Sequence, residues 1–168
     1  MKLCRFTGRD IKVFDMHKYD CLQLSDEFRY LASSEEGQAM IIDCCNGVGS
    51  SGGFWGWTYH LIPNDALWLD ITADSDPHDT DYTYPKHFKN MADALAHKDA
   101  ADKRLYDNLR ITIKAKSNFI MYPLRIPYAH ILYMFVHLNG LSAFLQGKTF
   151  DDGTIVSQSK LNLNAVLK

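Results

Sequence analysis

Not one lysine or arginine stands between Tyr30 and Pro85, a run of 56 residues that carries nine carboxylates. That absence bears on the glycine-rich stretch within it, Asn46 to Trp57, NGVGSSGGFWGW. Glycines at Gly47, Gly49, Gly52 and Gly53 would let backbone N–H groups approach a phosphate. The stretch has no lysine and no GxxxxGK[ST] spacing, however, and its neighbourhood is acidic, so a plain loop is the better reading.

Other absences narrow the field further. The four cysteines, Cys4, Cys21, Cys44 and Cys45, form neither a CxxC pair nor a disulfide framework, so reduced and mostly buried thiols are expected. The most apolar region, Phe119 to Leu145, is broken by Pro123, Arg125, Pro127, His130 and His137, short of the roughly 20 apolar residues a bilayer demands. Met1 to Asp10 has Arg5 and Arg9 where a signal peptide needs an apolar core, which makes the cytoplasm the default expectation. No repeat and no Pro- or Ser-rich linker divides residues 1–168, so one globular domain is expected.

What is present suits such a domain. Of the 168 residues, 46% are hydrophobic and 23% charged, and nine Phe, nine Tyr and three Trp exclude disorder. A chain of this length buries roughly two-thirds of its unfolded surface and needs no metal or disulfide to fold. Charge is unevenly spread: +1 over residues 1–29, −9 over 30–85 and +6 over 86–168.

The coarse pattern is mixed. Ser25 caps a short helix to about Ser34, with Phe28 and Leu31 facing inward and Gly37 ending it. Ala39 to Cys45 reads as a buried strand, and FWGWTYHLI and ALWLDIT as paired strands. Pro85 opens a helix whose buried face is Phe88, Met91, Ala92 and Leu95, and Asp99 with Asp102 caps a second helical stretch. Leu109, Ile111, Ile113 and Ala115 alternate with polar residues as a strand, with Phe119 to Leu124 as its hairpin partner. Pro127 to Leu138 is a central helix packed all round and ended by Gly140, and Lys148 to Val156 is a hairpin. The expected fold is therefore α+β, a mostly antiparallel sheet packed against two or three helices.

Four features could carry chemistry. Asp70, Asp74, Asp76, Asp79 and Asp81 crowd the segment ADSDPHDTDYTYP and its approach, read as a solvated acidic loop. Alternating carboxylates suit a hard cation, with Asp74, Asp76 and His78 as ligands, but EF-hand spacing is missing. Cys44 or Cys45 with His60 and Asp70 could form a nucleophile system, though no basic side chain marks the thiol as activated. His130 and His137 lack the spacing of a zinc helix and read as satisfied core histidines. Trp55, Trp57, Tyr59 and Trp68 would fill a small sheet or, if exposed, anchor a partner.

Two functions follow. In the first, the protein is a binding module of immunity or antitoxin type that covers a basic, nuclease-like partner. Asp70, Asp74, Asp76, Asp79, Asp81, Trp55 and Trp57 would form its interface, with no catalytic residue and no cofactor. In the second, it is a metal-assisted hydrolase or phosphoryl-transfer enzyme using Asp70, Asp74, Asp76 and His78. A membrane partner is not expected. Nucleic acid is a distant third, because Arg110, Lys114 and Lys116 make only a modest basic stripe. Convergence decides between the two: an enzyme gathers its carboxylates around a pocket, a binder spreads them over a face.

Overall fold

A computed structural model describes residues 14–44 and 66–151 of the chain. Helices take up 70% of these, so the expected antiparallel sheet is corrected to a mostly helical fold. A short 3-10 helix, Met16–Tyr19, precedes α1 (Asp26–Ala32), α2 (Glu35–Cys44) and α3 (Thr72–Thr83). Then come β1 (His87–Phe88), α4 (Met91–Lys116), α5 (Met121–Asn139), α6 (Leu141–Phe144) and β2 (Thr149–Phe150). The two strands pair in parallel, His87 with Thr149 and Phe88 with Phe150. The first arm of the hairpin expected over Lys148 to Val156 forms as β2, and its second arm lies outside the described residues.

Local signals explain the ends of several helices. Ser25 accepts a hydrogen bond from the Phe28 amide at 3.1 Å, and Phe28 and Leu31 are buried as expected. Gly37, rather than ending α1, lies inside α2, where a Cβ would sit 2.1 Å from the Leu31 carbonyl oxygen. Only glycine allows the two helices this approach. Asn90, not Pro85, caps α4 by accepting from the Asp93 amide at 2.9 Å. Gly140 ends α5 as expected.

The FWGWTYHLI segment lies outside the described residues, and among those described the expected strands before Lys148 fail for identifiable reasons. Ala39 to Cys44 continues α2, and Thr72 of ALWLDIT opens α3 after a bend at Leu67 and Trp68. Both bend residues have positive φ, 49° and 65°, and Arg125 anchors the strained turn by donating to the Leu67 carbonyl at 2.8 Å. Leu109 to Ala115 alternates over too short a window: Leu105, Leu109 and Ile113 recur every four residues and form the buried face of α4. Phe119 to Leu124 is the turn into α5 and its first residues rather than a hairpin arm. α5 itself is not packed all round, since Leu124, Ile131 and Leu138 are 56%, 67% and 63% exposed.

Three apolar clusters hold the fold. Leu105, Leu109 and Ile113 of α4 pack on Ala129 and Leu132 of α5 and on Leu69 and Ile71. Each such side chain contributes roughly 1.5–3 kcal/mol of burial. Phe88, Phe144, Phe150 and Tyr82 gather around the strand pair, and Tyr19, Phe28, Leu31 and Ile41 join α1 and α2 to the 3-10 helix. Between these clusters runs α3.

Candidate functional site

The acidic segment is not a loop. It forms α3, in which Asp74, Ser75, Asp76, Pro77, His78, Thr80, Asp81 and Tyr82 are all buried. Burying so many polar groups is costly unless each is paired, and the partners come from other elements. Asp74 accepts from the Thr112 hydroxyl at 2.6 Å, Asp76 from the Tyr19 hydroxyl at 2.7 Å, and Asp81 from Arg104 at 2.6 Å. Asp70 is exposed and accepts from the Thr72 amide at 2.9 Å.

These pairings correct two expectations. Asp74, Asp76 and Asp81 do not present an acidic face to solvent. Nor do Asp74, Asp76 and His78 converge on one point: they meet Thr112, Tyr19 and Asp102 respectively. Trp55, Trp57, Tyr59, His60 and Cys45 lie outside the described residues, as does the side chain of Cys44. Cys21 is exposed rather than buried. His130 is exposed against Tyr106, not a core residue.

The structure instead assembles a histidine–aspartate pair that the sequence reading missed. His78 Nε2 lies 3.1 Å from Asp102 Oδ1, both side chains being buried. The Tyr82 hydroxyl, one turn along α3 from His78, donates to the same oxygen at 2.7 Å. Asp102 Oδ2 meets Lys98 Nζ at 2.7 Å and His137 Nδ1 at 3.2 Å. Burial opposes ionisation of Asp102, but these donors overcome it and hold the carboxyl at about 2. Tyr82 is pushed up, by burial first and then by the Asp102 charge, and remains a hydroxyl donor.

An ionised carboxylate only accepts, so Nε2 of His78 carries the proton given to Asp102 and the neutral ring keeps its lone pair on Nδ1. Nδ1 faces Asp79 Oδ1 at 3.5 Å. Burial lowers the His78 pKa, while the bonds to Asp102 and Asp79 raise it by more, leaving it above the ordinary value. Asp79 is raised as well, chiefly by burial. Its Oδ2 is buried without a hydrogen-bond partner among the described residues, an acceptor that a cation would satisfy.

Among the described residues two other groupings have metal-ligand character, Glu27 with Asp81 and His97, and Asp99 with Asp102 and His137. Each already holds a protein cation, because Lys86 bonds Glu27 and Lys98 bonds Asp102. Among the described residues no helix is long and apolar enough to cross a membrane. Compared with family models, with curated proteins and with solved structures, the chain finds no match.

Proposed function

We propose that the protein is a hydrolase in which the His78–Asp102 pair activates water for attack on an ester. The observation that carries this reading is the orientation of the imidazole. Its Nε2 is fixed on a buried carboxylate shared with Tyr82, which leaves Nδ1 as the basic nitrogen. The ring nitrogens of His78 face Asp102 and Asp79, and in this proposal the nucleophile is a water molecule.

Water oxygen bonds to the acyl carbon while Nδ1 of His78 takes its proton. The carbon–oxygen bond to the alcohol then breaks, and the imidazolium returns the proton to the departing oxygen, giving a carboxylic acid and an alcohol. Asp79 would hold a divalent cation, whose charge offsets that developing on the carbonyl oxygen. Neutralising Asp79 also removes its pull on His78 and returns the ring to its basic form.

The surface supports a substrate class. Ile120, Leu124, Ile131, Met134 and Leu138 follow the three- and four-residue spacing of one helical stripe along α5 and its approach, and all are exposed. Phe119 and Trp68 are 87% exposed. Such a surface suits an amphiphilic carboxylic ester, a lipid rather than a small soluble ester. The acidic partner-binding reading is set aside, because three of its five carboxylates are buried.

The test is an assay on three substrates, each with Ca²⁺, Mg²⁺ or a chelator: a long-chain phospholipid in mixed micelles, a short soluble ester and a phosphate diester. Fatty-acid release that requires a cation, falls about 10²–10⁴-fold in His78→Gln and loses its cation response in Asp79→Asn is expected. Release undiminished by His78→Gln would sink the proposal. Cleavage of the phosphate diester alone would transfer the site to phosphoryl chemistry.

A further inference from the structure

Asp102 has more donors than a histidine-orienting carboxylate needs. A carboxylate offers about four lone-pair sites, and here all are used: His78 and Tyr82 on Oδ1, Lys98 and His137 on Oδ2. The two oxygens are served by different parts of the fold. Oδ1 belongs to α3, whereas Oδ2 belongs to α4 through Lys98 and to α5 through His137.

The Oδ2 side is itself braced. Lys98 is 2% exposed and also donates to the His137 carbonyl at 2.9 Å, so one ammonium ties the Asp102 side chain to the α5 backbone. The His137 ring stacks on Tyr133, centroids 5.4 Å apart and planes inclined by 20°, which limits its rotation. Because the carboxylate accepts, the proton of neutral His137 resides on Nδ1.

We infer that Lys98 and His137 are positioning residues for the His78–Asp102 pair: by filling Oδ2 they fix the plane of the carboxylate and reserve Oδ1 for His78 and Tyr82. This rests on the hydrolase reading for its catalytic meaning, and on geometry for its structural one. With His137 or Lys98 removed, Oδ2 keeps a single donor, and the carboxylate can rotate about its Cβ–Cγ bond and divide its two oxygens among the donors that remain. His78 then loses the single orientation that leaves Nδ1 as the base.

The test uses His137→Ala, His137→Asn, Lys98→Met and Lys98→Arg in the full chain. The Asn amide puts an N–H near the position of Nδ1, and Arg keeps the charge. The first readout is ¹⁵N NMR of His78 in the ligand-free protein at a pH above its titration, where the neutral ring reports its tautomer without any substrate. His137→Ala is expected to mix the tautomers, and His137→Asn to restore the Nε2–H form. The second readout is phospholipid turnover in mixed micelles, where kcat should fall about tenfold or more in His137→Ala with KM little changed. An unaltered His78 tautomer in His137→Ala overturns the inference, as does a loss confined to KM. Lys98 is buried and its replacement by Met risks unfolding, whereas His137 is 34% exposed and keeps the test decisive. If the wild type turns over no ester, the hydrolase reading fails while the NMR arm still decides the positioning role.

Discussion

A Cβ on Gly140 would lie 2.5 Å from the hydroxyl oxygen of Tyr82, which is closer than any relaxed contact. The same hydroxyl donates to Asp102 at 2.7 Å, so the glycine that ends α5 also sets the space in which the Asp102 carboxylate is held. Gly140→Ala should cost roughly 1–3 kcal/mol by overpacking. Chemical denaturation in a Tyr82→Phe background should recover part of that loss, the remainder reflecting the Val136 carbonyl at 2.6 Å from the same Cβ. Strictly additive losses would mean that the hydroxyl and the glycine do not compete for space.

Asp74 makes stability depend on pH. Burial raises its pKa to about 7 despite the hydrogen bond from Thr112. The folded state therefore favours the protonated acid. The associated stabilisation is complete below the unfolded value near 4 and disappears as pH rises through about 7. Three units correspond to about 4 kcal/mol. Asp74→Asn, which keeps an acceptor for Thr112, should be more stable than the wild type at pH 8 by a few kcal/mol and indistinguishable near pH 4. Urea melts at the two pH values check this, and an equal difference at both would refute it.

Sequence pattern reached the helices whose cause is local. Ser25, with Phe28 and Leu31 behind it, and Gly140 at the end of the Pro127 to Leu138 run, carry their signals in neighbouring residues. α3 does not. With four aspartates and Pro77 in twelve residues it has no apolar stripe, and its burial is stabilised by groups far along the chain, Tyr19, Asp102, Arg104 and Thr112. In a loop, the four-residue spacing of His78 and Tyr82 carries no meaning; in a helix it places them one turn apart. Asp102, read with Asp99 as a cap, carries no sequence signal of its pairing with Lys98 one turn earlier on α4. Two facing helices with ionisable residues one turn apart were the signal that could have found the site.

Lys148 closes the end of α3. It is 6% exposed, and its ammonium donates to the carbonyls of Asp81 at 3.2 Å, Tyr82 at 3.0 Å and Tyr84. These are carbonyls at a helix C-terminus, where a cation is favourable and unsatisfied acceptors are not. Burial lowers its pKa to about 8, so the ammonium form is the less favoured in the fold. The matching stabilisation is present above the unfolded value and is lost as pH falls through about 8. Lys148→Met should still destabilise by about 1–3 kcal/mol at pH 7, since three carbonyls lose their donor. A thermal melt unchanged by this substitution would show that water satisfies them equally well.

Asn108, fully buried on α4, pairs with both backbone groups of Gln23. Its Oδ1 accepts from the Gln23 amide at 2.7 Å and its Nδ2 donates to the Gln23 carbonyl at 3.0 Å. One side chain thus satisfies both backbone groups of a segment that leads into α1, and no apolar residue of equal size can replace it. Asn108→Leu should cost about 1–3 kcal/mol, the loss of two hydrogen bonds to part-buried backbone groups. Asn108→Asp keeps the acceptor but sets a carboxylate against the Gln23 carbonyl, so it should be worse at pH 7 than at pH 4, where the protonated acid can donate. Hydrogen exchange at the Gln23 amide separates this from a general loss of packing. In Asn108→Leu that amide should exchange faster by a factor exceeding the change at Leu109, and equal acceleration at both would show that Asn108 acts only by filling space.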